Sequence, residues 1–290
     1  MSLTPREFAQ SVAHLPQKER VAAQRKYRLT LPTADERENA ELYFLRFPYG
    51  EDDSPPVVIV FLHGIRTWGE WQDRLTQALQ AEYQVTAHPI KYGRVDILRF
   101  LVPFLRRSAV KEVTEKISCL ERLYPGARIA ICAHSFGSYL VGRILMRNPA
   151  LNVTRLLLCG SILPRAYGWQ NAFPNGNGKN IVNDVGTRDI WPIVAYSLVY
   201  GCGESGRFGF GHPYVVDRFH DLGHCDFFST EHVTKYWVPF LIEGQVVTSP
   251  HTEERKPPGF FAGLCLAVPL KIWVPIAMVA ALLYSRFPIA

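Results

Sequence analysis

The sequence predicts an α/β protein with a mostly parallel central sheet and helices on both faces, and three observations carry that reading. Strand-like and helix-like segments alternate through most of residues 41–245. Two strand-like runs, 57–62 and 127–133, are almost continuously apolar, as befits strands buried on both faces. The 290 residues, 48% of them hydrophobic, suffice for one large domain with its own core and exclude a disordered chain.

Each element follows in order. Residues 1–40 are polar and partly helical, opened by Thr4 as a cap and Pro5 in the first turn. The basic cluster Lys18, Arg20, Arg25, Lys26 and Arg28 reads as a solvated helix face or a membrane-surface contact. Residues 41–47 read as a strand, with a turn at Tyr49-Gly50 and a Pro55-Pro56 spacer. The strand 57–62 is closed by His63-Gly64. A helix over 68–81, a short strand over 84–90 and a mostly helical stretch over 95–123, interrupted near Pro103, come next. Strand 127–133, helix 136–147 and strand 153–159 follow. Beyond a loop come strand 180–186 and helix 190–200. A glycine-rich loop then precedes strand 214–219, and a last helix covers 229–242. The chain thus divides into a helical basic segment (1–40), an α/β domain (41–245), a polar, proline-rich linker (246–258) and a hydrophobic tail (259–290). There is no internal repeat.

The net charge of +6 implies attraction to anionic surfaces. Nucleic acid is not an expected partner, because no zinc-finger spacing or aromatic-basic RNA motif is present. The six cysteines are scattered without pairing or metal-ligand spacing and read as buried free thiols of a reducing compartment. No metal and no cofactor is expected. The N-terminus lacks an apolar signal core, which predicts a cytoplasmic catalytic part.

The chemistry concentrates at Ala133-His134-Ser135-Phe136-Gly137. An apolar strand ends there and a helix begins. Such a turn strains the residue at its tip, crowds the positions two before and two after it, and lifts the serine above free helix N–H groups. The stretch resembles the nucleophile elbow of the α/β-hydrolase superfamily, with alanine where the superfamily pattern begins with glycine. The resemblance covers roughly residues 41–243 and implies a Ser–acid–His order. His63-Gly64-Ile65 resembles the turn that completes the oxyanion hole, so Ile65 and Phe136 would donate their amides. Gly186-Thr187-Arg188-Asp189 resembles the acid loop. Asp189 is the favoured acid and Asp184 its competitor. His224, between the last strand and last helix, would be the base, with His220 and His232 as rivals. The resemblance implies acyl transfer to water through an acyl-enzyme. Lid elements are expected at 161–179 and 201–213.

Lys271 is the one charge across the apolar stretch 260–284. About 25 residues suffice to cross a bilayer, although Pro269 and Pro275 break helical continuity. Three readings stand: a kinked transmembrane helix, an interfacial or re-entrant hairpin split at Lys271, and an apolar segment buried in a homo-oligomer. Lys271 is expected to face protein or a water cavity. The combined expectation is a membrane-associated serine hydrolase that cleaves an ester or other acyl bond of a small molecule or lipid. The alternative is a non-enzymatic sensing or binding module of the same fold, whose tail assembles in or disrupts a membrane.

Overall fold

The computed structural model describes residues 3–15, 17–46, 56–65, 70–83, 85–92, 100–174, 179–251 and 259–273. Three helices open the chain: α1 (Pro5–Ser11), α2 (Gln17–Thr30) and α3 (Ala34–Arg46). Thr4 caps α1 through a reciprocal bond pattern with Glu7, as the Thr4-Pro5 signal predicts. Helix α3 replaces the strand expected over 41–46; residue 47 lies outside the described residues. The aromatic content of that stretch imitates a strand, but Ala40 and Phe44 are four residues apart and share a face against Tyr27. Thr33 and Glu36 form a second capping pair at the start of α3, with the Glu36 amide 3.2 Å from Thr33 Oγ1.

The basic cluster of α2 is not a uniformly solvated face. Arg20 is buried and donates to the Leu15 carbonyl, and Arg28 pairs with Glu41. The helical unit also touches the edge of the sheet, where the Thr86 hydroxyl donates to the His14 carbonyl.

Six parallel strands make the sheet: β1 (Val57–Leu62), β2 (Thr86–Ile90), β3 (Arg128–His134), β4 (Val153–Cys159), β5 (Ile181–Gly186) and β6 (Val216–His220). Their order is β2-β1-β3-β4-β5-β6. Every residue of β1 and β5 is buried, because helices cover both faces. On one face lie α5 (Arg106–Leu123) and α6 (Phe136–Arg147). Helix α5 offers Val110, Val113, Ile117 and Leu120 at helical spacing, and each full burial contributes roughly 1.5–3 kcal/mol. The other face holds α4 (Glu70–Glu82) and the last helix of the domain. That helix is α over Thr230–His232 and π over Val233–Trp237 and Pro239–Glu243.

The chain steps outward from β1 to β2, then returns to β3 and runs to β6. The direction therefore reverses between β1 and β3. Beyond the carboxyl ends of the strands at such a reversal a crevice opens, and ligands bind there in open α/β sheets.

Two further helices matter here, α7 (Trp191–Leu198) and the four-residue α8 (Ser205–Phe208). The tail begins as α9 (Phe260–Ala267) and stops at Val268-Pro269. Proline lacks the amide hydrogen that would continue the helix and disfavours helical geometry in the residue before it. The kinked helix expected over 260–284 is interrupted at Pro269, as that residue's lack of an amide hydrogen implies, and 274–290 lie outside the described residues. Among the described residues no helix is long and apolar enough to cross a membrane. The tail instead lies along α7. Leu270 N donates to Ser197 Oγ at 3.3 Å, and Tyr200 Oη donates to the Lys271 carbonyl at 2.5 Å. Lys271 Nζ sits 4.2 Å from the centre of the Tyr196 ring.

The six cysteines are free. Cys132, Cys159 and Cys202 are buried as expected, whereas Cys119 and Cys225 are exposed.

Candidate active site

β3 delivers Ser135 to the carboxyl edge of the sheet. Its backbone (φ 53°, ψ −117°) is the sole positive φ outside glycine among the described residues. A serine held there stores about 1–3 kcal/mol of strain, which the surrounding bonds must hold. Ser135 N donates to the Cys159 carbonyl at 3.1 Å. The Ser135 carbonyl accepts from Ser138 N at 2.9 Å and from Ser138 Oγ at 2.6 Å. Phe136 opens α6, where its amide has no carbonyl four residues back within the helix. Ile65 lies just beyond β1 and is half-buried.

The requirement for glycine at 137 has a source the five-residue pattern does not reveal. A Cβ there would come within 2.5 Å of the Leu62 carbonyl oxygen. It is the end of β1, more than crowding inside the elbow, that leaves no room for a side chain.

Asp189 and His224 come from the loops after β5 and β6. Five hydrogen bonds tie those loops together: Thr187 N to the His220 carbonyl (2.8 Å), Thr187 Oγ1 to Asp221 Oδ1 (3.1 Å), Arg188 N to the Leu222 carbonyl (3.1 Å), and Arg188 Nε and Nη2 to the Asp221 carbonyl (3.1 and 2.8 Å). In this frame His224 Nδ1 donates to Asp189 Oδ2 at 2.7 Å, and Trp191 N at the head of α7 donates to Asp189 Oδ1 at 3.0 Å. The aspartate is wholly buried, while the histidine keeps 16% exposure. Gly160 (φ 53°), just after β4, closes over the pair; a Cβ there would lie 2.9 Å from His224 Nδ1 and 3.2 Å from Asp189 Oδ2. Because Nδ1 donates to the carboxylate, Nε2 is left as the basic nitrogen. Among the described contacts Ser135 Oγ makes no hydrogen bond to His224. Ligand-free sites often keep such bonds long.

Asp184, the competing acid, belongs to a different assembly. Arg218 Nε and Nη2 donate to it at 2.6 and 3.1 Å, His220 Nε2 at 3.2 Å, His232 Nε2 at 3.1 Å and Trp237 Nε1 at 2.8 Å. Burial alone would raise this carboxyl. The Arg218 charge and the two imidazole N–H groups outweigh it and hold Asp184 well below the usual carboxylate range. His220 and His232, the rival bases, are both committed here. Asp184, His220 and His232 bring three possible metal ligands within 4.8 Å. A cation does not fit among them, because the Arg218 guanidinium already occupies the cation's place on the carboxylate.

His134, between Ala133 and the serine, carries a contact that the sequence pattern leaves unread: its Nε2 lies 3.0 Å from the His224 carbonyl oxygen. The only hint was a polar residue inside a fully buried run.

The two segments expected to form a lid are stitched together. Gly203 N donates to the Ile162 carbonyl at 2.7 Å, Gly206 N to the Ser161 carbonyl at 2.7 Å, and Ser205 Oγ to Ser161 Oγ at 2.9 Å. Trp169 and Phe173 of the first segment are buried in the core, and 175–178 lie outside the described residues.

No family model and no curated protein matches the sequence. Among solved structures, the chain is similar to a predicted CIB-like hydrolase from Thermoplasma acidophilum, at 18% identity over 65% of this chain and 87% of that one, with a TM-score of 0.39. It is also similar to an acetyl xylan esterase, at 13% identity over 65% and 94% of the two chains, with a TM-score of 0.34. Likenesses this distant do not bear on chemistry; the side chains at the carboxyl edge do.

Proposed function

We propose that this chain is a serine hydrolase that cleaves an ester or other acyl bond. One observation carries the reading: a strained serine (φ 53°) at a strand-to-helix turn shares the sheet edge with a buried carboxylate–imidazole pair 2.7 Å apart. In this account Ser135 Oγ attacks the acyl carbon while His224 Nε2 takes its proton. The negative charge that builds on the carbonyl oxygen is met by the amides of Ile65 and Phe136. The proton then passes from His224 to the leaving alcohol, and Ser135 is left acylated. Water, deprotonated by the same imidazole, releases the acid and restores the serine. Asp189 holds the tautomer with Nδ1–H and stabilises the imidazolium. Hydrolysis of p-nitrophenyl acyl esters tests this. Wild-type turnover that vanishes in Ser135→Ala supports the reading, and turnover that survives the substitution refutes it.

The substrate class we favour is an acylated apolar molecule presented at an anionic lipid surface. Trp191 and Ile190 are exposed beside the site, with the Trp191 ring 6.4 Å from that of His224. Leu198 of α7, Tyr200 just after it, and Phe260, Phe261 and Trp273 of the tail are exposed as well. Aromatic side chains of this kind settle at membrane–water interfaces, and the net charge of +6 favours anionic headgroups. Co-sedimentation with vesicles containing anionic lipid, lost on Phe260→Ser with Phe261→Ser, would support it. Sedimentation unchanged by the double substitution would argue against it.

A further inference from the structure

The nucleophile has a neighbour that reaches the loop of the base. His134 is 1% exposed, and its ring is wedged between His224 (centroids 4.5 Å), Phe228 (4.9 Å) and Trp71 (6.4 Å). Its Nε2 lies 3.0 Å from the backbone carbonyl oxygen of His224. A carbonyl can only accept, so the proton of this imidazole must be on Nε2. Nδ1 is then a bare acceptor, and it is buried without a hydrogen-bond partner. A lone unsatisfied nitrogen is costly, so a purely structural role would be met more cheaply by an apolar ring.

We propose that His134 is a positioning residue: its Nε2–H pins the His224 carbonyl, and so holds the base's loop at a fixed height above Ser135. The two residues are consecutive, so one strand end carries the nucleophile and the clamp on its base. A rigid ring suits this task, because a donor fixed by packing on three sides loses little freedom when it bonds. Burial, and then the neighbouring His224, hold the His134 imidazolium well out of reach at neutral pH. The clamp therefore stays uncharged while a proton sits on His224, and adds no like charge to oppose it. This inference rests on the serine hydrolase reading, and its test separates the two.

The experiment compares wild type with His134→Phe, which keeps the ring and removes the donor, and His134→Gln, which restores a donor. Two quantities are read: amide hydrogen exchange over 222–228, and the rate of Ser135 phosphonylation by a fluorophosphonate probe. The expected result is at least tenfold faster exchange and about 100-fold slower labelling in His134→Phe, with His134→Gln recovering most of both. Equal behaviour of the two variants would overturn the proposal. Nitrogen NMR on wild-type protein offers a check that needs no variant: a proton on Nδ1 of His134 would also overturn it. If Ser135→Ala labels like wild type, the hydrolase reading fails, yet the exchange comparison still decides whether His134 holds the loop.

Discussion

Two buried carboxylate–imidazole assemblies lie on and just beyond β5, five residues apart, and they differ in how many donors reach the carboxylate. Asp184 sits within the strand and accepts from five N–H groups of four residues, among them the guanidinium of Arg218. Asp189 sits in the loop beyond the strand and accepts from His224 and the Trp191 amide. The first is a closed hub joining β5, β6 and the last helix of the domain. Among the described residues, the second leaves one imidazole nitrogen unspent at the sheet edge. The same pair of residue types therefore builds a joint in one place and a candidate proton relay in the other. The difference is the number of competing donors and the presence of a permanent cation, not burial: both aspartates are buried.

Substitutions can break this contrast. The largest expected effect is on activity at the second assembly: Asp189→Asn lowers kcat by about 10⁴-fold, through loss of the working tautomer, with the folded structure intact. Turnover of a p-nitrophenyl ester beside circular dichroism checks both halves. Asp184→Asn should do the reverse. It strands the buried Arg218 charge, destabilises the fold by about 3–5 kcal/mol and lowers the thermal midpoint by roughly 10 °C. If Asp184→Asn proved stable and inactive, the roles assigned to the two assemblies would be exchanged.

Acid should reach the buried histidines before it reaches the Asp184 carboxylate. Burial lowers the imidazoles of His134 and His220 below the ordinary histidine value. The unfolded chain therefore binds protons that the folded one refuses. Their contribution is present in full above about pH 6.5 and drains away as the pH falls below it. Asp184 is also depressed, so its contribution is full above about pH 4 and is lost only on further acidification. Urea unfolding at pH 8, 6, 5 and 4 should show a first decline between 6.5 and 5. Stability flat across that interval would mean that these histidines titrate normally. The smallest expected effect lies on the apolar rim. Phe260→Ser weakens vesicle binding by about tenfold and leaves turnover of a soluble ester unchanged.

Much of the sheet was legible because strands buried on both faces are nearly pure apolar runs. Val57–Leu62 and Val153–Cys159 follow the sequence expectation to the residue. The stretch 41–46 was misread because aromatic β-formers masked a four-residue spacing that only contact with Tyr27 brings out. The pairing of His224 with Asp189 was anticipated through family resemblance. The hub around Asp184 was not, because its members come from three separate elements and nothing local marks Arg218 or Trp237 as partners. His134 was invisible for the same reason: its contact lies 90 residues away. The tail was read as apolar, correctly, but apolarity does not reveal whether lipid or the chain's own α7 takes up the exposed face.

The central claim is that Ser135 is the nucleophile, and one measurement meets it directly. Wild-type protein is treated with a fluorophosphonate, digested, and the modified peptide is read by mass spectrometry. The account predicts a single phosphonyl group on Ser135, absent after His224→Ala. A protein that takes no label, or takes it on another residue, would contradict it.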